Sequence, residues 1–117
     1  MNKPLSPTAH GVADYVSAAT FASAPTLFRM APAAATLARS LGAGYGGLSA
    51  VTAYPPGVAK LVPFPAHLTM DYVMAPALAA APWLFGFAED RASRNFFLAM
   101  AAVTAVVSSL TQRRRAA

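Results

Sequence analysis

The sequence has no cysteine and very few charged residues. The absence of cysteine excludes disulfides, thiolate metal sites and thiol redox chemistry. Charged residues make up 11% of the 117 residues, whereas a soluble domain usually carries about 25%. So few charges cannot cover a surface that faces water, and we therefore expect most of the surface to face lipid.

Acidic residues are scarcer than basic ones, and the positive excess raises the question of nucleic-acid binding. The chain has nine Lys and Arg against four Asp and Glu, which gives a net charge of +5. The basic residues lie at the chain ends and between apolar runs, with only Arg39 extending into one. No basic helical face is interleaved with aromatic residues, so we expect no nucleic-acid partner. We interpret these charges as signals of membrane topology.

Apolar residues, in contrast, are abundant, at 56% of the chain with a mean hydropathy of +0.46. They form four stretches, each close to the ~20 residues that a helix needs to cross a bilayer. The sequence therefore predicts an all-α membrane protein, a bundle of four transmembrane helices in a single domain of residues 1–117. The predicted helices span about 7–28, 32–54, 65–87 and 93–112.

The distribution of Lys and Arg predicts how these helices are oriented. With four helices, both termini lie on the same side of the membrane. That side carries Lys3, Lys60 and the three arginines at 113–115, and the other side has fewer basic residues. We therefore expect both termini to lie in the cytoplasm.

The strongest pattern is an internal repeat. The segment His-x-x-x-Asp-Tyr occurs at 10–15 and again at 67–72, an offset of 57 residues. At the same offset, alanine, proline, leucine and phenylalanine positions of 22–28 match those of 79–85. Duplication explains this agreement better than chance.

We interpret the pattern as a tandem two-helix unit, with repeat one at about 7–56 and repeat two at about 64–112. Each repeat holds two helices, so both copies insert into the membrane in the same orientation. The copies are then related by a pseudo-two-fold axis along the membrane normal. The first and third helices become equivalent, with their His and Asp residues at the same depth.

Three segments of the sequence resemble those of a known family. They are Asp-Tyr…Ala-Pro-Thr-Leu-Phe at 14–28, Tyr-Pro-Pro-Gly-Val-Ala-Lys-Leu-Val-Pro at 54–63, and His…Asp…Ala-Pro-Trp-Leu-Phe-Gly-Phe at 67–87. They resemble small bacterial membrane proteins of the SPW-repeat type, which carry a Ser/Ala-Pro-Trp step near the end of each odd helix. The first copy departs from that pattern, with Thr26 where the second has Trp83. The resemblance implies a four-helix protein of the bacterial inner membrane with no established activity.

The repeated polar pairs are the candidate functional residues. His10 and Asp14 lie four residues apart and share one helix face, as do His67 and Asp71. Ionisable residues inside a membrane helix indicate function. If the two faces meet, two imidazoles and two carboxylates gather, which suits a divalent cation such as Zn or Fe. The two histidines could instead bind haem iron from opposite sides, or each Asp could set the pKa of a proton-carrying His.

A structural interpretation of the same pairs competes with these. Each Asp could hydrogen-bond its own His or the partner Tyr, and so lock the first helix against the third. Both histidines also lie about one turn from a helix start, where polarity in a membrane is tolerated. We place this structural role ahead of a metal or cofactor site.

Two further groups of residues have expected packing roles. Tyr15 and Tyr72 neighbour the aspartates but point about 100° away on the helix, so we expect them to pack or donate a hydrogen bond toward the second and fourth helices. The second helix carries small residues at a spacing of four, which allow close helix approach. They are Ala38, Gly42, Gly46 and Ala50.

Three function classes remain open. The first, which we place ahead, is a non-enzymatic inner-membrane protein that acts through helix packing as a structural or accessory subunit, with the bilayer and a protein partner or second copy as its partners. The second is a metal- or haem-binding protein that uses the four His and Asp residues. The third is a small oligomeric ion or proton transporter. We expect no enzyme, because the sequence shows no activated nucleophile and no phosphate-binding loop.

Overall fold

The computed structural model describes residues 3–112, which form four α-helices and two short strands. The elements are α1 Pro7–Leu27, α2 Pro32–Ala50, β1 Thr52–Ala53, β2 Val62–Pro63, α3 Phe64–Leu84 and α4 Arg91–Ser109. Helix α1 packs along α2, and α3 packs along α4. The arginines at 113–115, on which the predicted orientation depends, lie outside the described residues.

The helices begin at residues whose chemistry favours a helix start. Ser6 caps α1, because its side-chain oxygen accepts a hydrogen bond from the backbone N–H of Ala9 at 3.1 Å, and Pro7 follows at the first helical position. Asp90 caps α4 in the same way, accepting from the backbone N–H of Ser93 at 3.1 Å. These caps satisfy N–H groups that have no partner within the helix.

The helices end before the apolar runs do. The prediction extends the second helix to about 54 and the third to about 87, whereas α2 ends at Ala50 and α3 at Leu84. Beyond α2 the chain enters β1, where Thr52 pairs in parallel with Val62 of β2. Beyond α3, Gly86 turns the chain at a φ of 75°, which glycine adopts without steric strain.

The repeat is visible in the lengths of the helices. Helices α1 and α3 contain 21 residues each and start 57 residues apart, at Pro7 and Phe64. Helices α2 and α4 contain 19 residues each and start 59 residues apart, at Pro32 and Arg91. The offset grows because the connection between the two helices is longer in the second copy.

Short backbone pairings join the end of each copy of the repeat to the start of the other copy. Thr52, which follows α2, pairs with Val62, which precedes α3. Thr111, which follows α4, forms a parallel bridge with Leu5, which precedes α1. Each copy therefore ends beside the start of the other, and a threonine is held next to the first turns of each odd helix.

Small residues allow α2 to approach α1 closely. Ala38 and Gly42 are buried. A Cβ added to Gly42 would come within 2.8 Å of the backbone nitrogen of Ala22 and 2.9 Å of the backbone oxygen of Ala18. Gly46 has more room, since its added Cβ would lie 3.8 Å from that of Ala18. This face of α2 therefore packs inside the chain, with Gly42 at the closest approach.

The prediction of a four-helix transmembrane bundle is wrong. Among the described helices, only α4 is both long enough and apolar enough to cross a bilayer, and α1, α2 and α3 are not. In α1 and α2 the physical reason is that Ala, Gly, Pro, Ser and Thr make up most of the helix, and these small residues are much less hydrophobic than Leu, Ile or Phe. In α3, His67, Asp71 and three prolines lower the mean hydropathy. The predicted axis along a membrane normal is wrong for the same reason.

Candidate metal centre

Four ionisable side chains come together between α1 and α3. His10 and Asp14 lie in the first two turns of α1, and His67 and Asp71 lie in the corresponding turns of α3. All four are buried, with exposed fractions of 1%, 8%, 0% and 2% respectively. Ionisable groups at this depth require partners of opposite charge or a bound cation.

The four side chains surround a common centre. His10 Nε2 lies 2.8 Å from Asp71 Oδ2 and 3.3 Å from Asp14 Oδ1. His67 Nε2 lies 3.0 Å from Asp14 Oδ2 and 3.3 Å from Asp71 Oδ2. Each aspartate is therefore closer to the histidine of the other copy than to the histidine of its own.

Two threonines hold the opposite edges of the imidazoles. Thr111 Oγ1 lies 2.8 Å from His10 Nδ1, and Thr52 Oγ1 lies 2.7 Å from His67 Nδ1. Each threonine hydroxyl donates to the backbone carbonyl four residues earlier, so its oxygen is left to accept from the imidazole. These bonds place a proton on each Nδ1 and turn each Nε2 toward the carboxylates.

Tyr54 and Phe64 complete the surroundings of the cluster. The Tyr54 hydroxyl donates to Asp14 Oδ2 at 3.0 Å. The Phe64 ring meets the His10 ring edge to face, with the centroids 5.4 Å apart. The cluster is therefore enclosed by aromatic rings on the side where the two odd helices begin.

Tyr15 and Tyr72, the two tyrosines that the sequence analysis singles out, point away from the cluster. The Tyr15 hydroxyl donates to the backbone carbonyl of Pro56 at 3.0 Å, and the Tyr72 hydroxyl donates to that of Ser108 at 3.0 Å. Each tyrosine thus anchors an odd helix to the end of an even helix or to the turn that follows it.

The sequence pattern does not reveal the roles of Thr52, Thr111 and Tyr54. The repeat is visible at an offset of 57, and at that offset Thr111 corresponds to Tyr54. At the offset of 59 that relates α2 to α4, Thr111 corresponds to Thr52. An alignment with a two-residue gap would have supplied the signal.

The cluster holds charges of both signs when it contains no metal. Burial is the largest single influence on the pKa of each histidine and lowers it. The hydrogen bonds and charges of Asp14 and Asp71 together outweigh burial and raise the pKa of His10 and of His67 to about 9. Burial also acts to raise the pKa of Asp14, but the two histidines outweigh it and hold that pKa below its usual value.

The donor set fits a divalent transition-metal ion. One ligand atom from each of the four residues lies within 4.8 Å of all the others. In a tetrahedral zinc site the ligand atoms lie roughly 3.3 Å from one another, close to the 2.8 to 3.3 Å between His and Asp atoms here. Two carboxylates with two neutral imidazoles carry a charge of −2, which a divalent cation balances. The bond from Nδ1 to a threonine is the kind of outer contact that orients ligating histidines.

His67 Nε2 is buried and faces two carboxylate oxygens, Asp14 Oδ2 at 3.0 Å and Asp71 Oδ2 at 3.3 Å. Neither contact is aligned as a hydrogen bond among the described residues. When Nε2 carries no proton, its lone pair points into the same centre as the carboxylates and can bind a cation.

A bis-histidine haem does not fit the described residues. The rings of His10 and His67 are in T-shaped contact, with centroids 5.6 Å apart. The cavity beside them has a volume of about 20 Å³, which is the space of a single water. A porphyrin needs far more room than this.

No protein-family model, curated protein or solved structure matches the chain. The resemblance to SPW-repeat proteins therefore stays a prediction.

Proposed function

We propose that the chain binds one divalent transition-metal ion, such as Zn²⁺ or Fe²⁺, through His10, Asp14, His67 and Asp71. The observation that carries this proposal is the convergence of two imidazole nitrogens and two carboxylates in one buried centre. Nitrogen and oxygen ligands of this kind suit both ions. The two copies of the repeat contribute one His and one Asp each, so neither copy holds a complete site.

The metal interpretation accounts for features that a helix interlock leaves unexplained. An interlock needs only one hydrogen bond per pair, and it does not require both carboxylates to face both imidazoles. A bound cation accounts for the shared centre.

Metal titration of variants tests the proposal. The wild-type protein should bind about one Zn²⁺ per chain, measured by competition with a chromophoric chelator and by elemental analysis. His10→Ala and Asp71→Asn each remove a ligand and should weaken binding by more than roughly 100-fold, beyond the effect of losing an outer contact.

Asp90→Asn is the matched control. Asp90 is an acidic residue outside the cluster that caps α4, and asparagine is an equally good cap. It should bind Zn²⁺ like the wild type. A wild-type protein that is folded by circular dichroism but retains no metal would overturn the proposal and leave the cluster as a helix interlock.

The surface favours a second candidate function. Large apolar side chains are exposed on α1 and α3, including Val16 at 60%, Val73 at 64% and Trp83 at 61%. Exposed apolar surface marks interaction sites, and the net charge of +5 favours an anionic lipid surface. We infer an accessory role at a bilayer surface. The protein should float with anionic liposomes in a density gradient, and a protein that stays at the bottom would contradict this role.

A further inference from the structure

A small cavity lies beside the His/Asp cluster, between α1 and α4. Its volume is about 20 Å³. Three of the four candidate ligands line it, namely His10, Asp14 and Asp71, together with residues of α4 and one residue of α2, Tyr45. The cavity therefore borders directly on the place where the metal ion would be held.

Three buried polar atoms at this cavity have no hydrogen-bond partner among the described residues. They are Tyr45 Oη, Asp71 Oδ1 and Ser108 Oγ. All three residues line the cavity and are more than nine-tenths buried, with exposed fractions of 7%, 2% and 1%. Since buried polar atoms almost always have partners, three unpaired atoms around one cavity indicate a missing polar occupant.

The volume limits what that occupant can be. A water needs about 10 to 15 Å³ of such space and typically makes about three hydrogen bonds. The cavity therefore takes one water, which can accept from the Tyr45 hydroxyl and donate to Asp71 Oδ1 and Ser108 Oγ. Its second lone pair is then free for a metal ion.

We propose that this cavity is an open coordination position of the metal centre, holding one water that a ligand of two non-hydrogen atoms can replace. This inference rests on the proposed metal-binding function and extends it. The four protein ligands alone would make a closed, structural site, so the water occupies a fifth position. A metal ion that expands to five ligands can bind and polarise an exogenous ligand there. Tyr45 and Ser108 act here as positioning residues for that ligand.

The position that the repeat makes equivalent to the small cavity, between α2 and α3, is an apolar pocket. Between α2 and α3 lies an apolar pocket of about 230 Å³, lined by Met70, Met74, Gly44 and Leu48 among others. By the repeat offsets, Met70 and Met74 correspond to Ala13 and Ser17, which line the small cavity. His10, His67 and the two aspartates do not line the apolar pocket.

The sizes of the side chains at the equivalent positions of α1 and α3 indicate where an exogenous ligand enters the metal centre. Ala13 and Ser17 are small, half-buried and line the small cavity, so we expect an exogenous ligand to enter between α1 and α4. Methionines occupy the corresponding positions on α3. The two copies have diverged so that exogenous ligand reaches the metal from one side.

Nitric oxide bound to the Fe²⁺-loaded protein tests this inference. Nitric oxide has two atoms, and it binds Fe²⁺ at an exchangeable position to give a quartet-spin nitrosyl that electron paramagnetic resonance detects. The protein is loaded anaerobically with Fe²⁺, desalted, assayed for iron and then exposed to nitric oxide. We expect about one iron per chain and a nitrosyl signal of matching intensity.

Two size variants provide a matched pair. Ala13→Met places in the small cavity the side chain that the second copy carries, and it should retain the iron but lose the nitrosyl signal. Met70→Ala makes the opposite change in the apolar pocket and should leave the signal unchanged. Tyr45→Phe, which removes one donor without adding bulk, should raise the dissociation constant for nitric oxide about fivefold to tenfold.

The outcomes separate this inference from the proposed function. One iron per chain with no nitrosyl signal in the wild type would overturn the open position and leave metal binding intact. Equal nitrosyl signals in wild type, Ala13→Met and Tyr45→Phe would overturn the assignment of the cavity. Failure to retain iron or zinc would overturn both proposals.

Discussion

Thr52 and Thr111 set the protonation pattern on which the site depends. Each accepts from an Nδ1 and donates to a backbone carbonyl of the helix that precedes it. Because Nδ1 carries the proton, the lone pair or second proton of each imidazole lies on Nε2, at the shared centre. With a proton on Nε2 the histidines pair with the carboxylates, and without it they bind a metal ion.

Removing one of these hydroxyls should loosen metal binding without removing a ligand. Thr52→Val should weaken Zn²⁺ binding by about 10- to 100-fold, the range observed for outer contacts of ligating histidines. Chelator competition measures the change. Thr69→Val is the control, because the Thr69 hydroxyl donates only to the carbonyl of Pro65. If both variants bind Zn²⁺ like the wild type, the threonine bond has no role in orienting the imidazole.

The stability of the metal-free protein should depend on pH through the two histidines. Both have a pKa raised from 6.5 to about 9. Because the folded-state pKa is the higher one, the stabilisation is complete below pH 6.5 and is lost as the pH rises to about 9. Urea denaturation with EDTA present should therefore show the free energy of unfolding falling across this window.

A double variant isolates this effect. His10→Gln with His67→Gln removes both titrating groups, so its free energy of unfolding should change little between pH 6.5 and 9. The lowered pKa of Asp14 affects stability at acidic pH. Its stabilising contribution is lost as the pH falls below about 4. A wild type equally stable at pH 6.5 and 9 would show that the histidines are not charged in the fold.

Some site residues can be predicted from the sequence, whereas others cannot. The duplicated His and Asp pairs can be predicted, because the spacing of four is a local pattern and the repeat is visible when the sequence is compared with itself. Their partners cannot, since the His10–Asp71 and His10–Thr111 bonds join residues 61 and 101 positions apart. Such contacts depend on how the two copies pack, which no local pattern records.

At the scale of the element, the contact between α1 and α2 depends on Gly42. Its missing Cβ leaves room for the backbone of α1, where Ala18 and Ala22 lie. Gly44, two residues later, has nothing within 4 Å of its Cβ position. The same substitution at these two glycines should therefore have opposite effects.

Gly42→Ala should destabilise the fold by about 1–3 kcal/mol, because the added methyl forces two backbones apart. Gly44→Ala should stabilise it by about 0.5–1 kcal/mol, because alanine is the better helix former and the site is open. Urea denaturation of both variants measures the difference. A Gly42→Ala variant as stable as Gly44→Ala would show that α1 and α2 do not approach closely at this position.

The starts of the helices were more predictable than their ends. Ser6 followed by Pro7 is a local start signal, and the structure begins α1 there. The end of α2 depends on Thr52 pairing with Val62, across a turn that the apolar pattern does not encode. Helix ends are thus set by tertiary contacts that override a continuing apolar run.

At the scale of the whole molecule, composition misled the prediction of four membrane spans. The charged fraction of 11% is low, but low charge is not the same as high hydrophobicity. Much of the apolar content is alanine, and α1 and α2 also contain many Gly, Ser, Thr and Pro residues. Among the described helices, only α4 is apolar enough for a span. The duplication, in contrast, marks the two polar pairs as equivalent residues, and the structure places all four side chains together.

The measurement that tests the metal centre most directly is X-ray absorption at the zinc edge of the loaded, desalted protein. We expect a shell of nitrogen and oxygen atoms at about 2.0–2.1 Å, with the outer-shell scattering of two imidazoles. The double variant His10→Ala with His67→Ala should retain no zinc after desalting. Zinc surrounded by oxygen alone, without imidazole scattering, would contradict a centre built from His10 and His67.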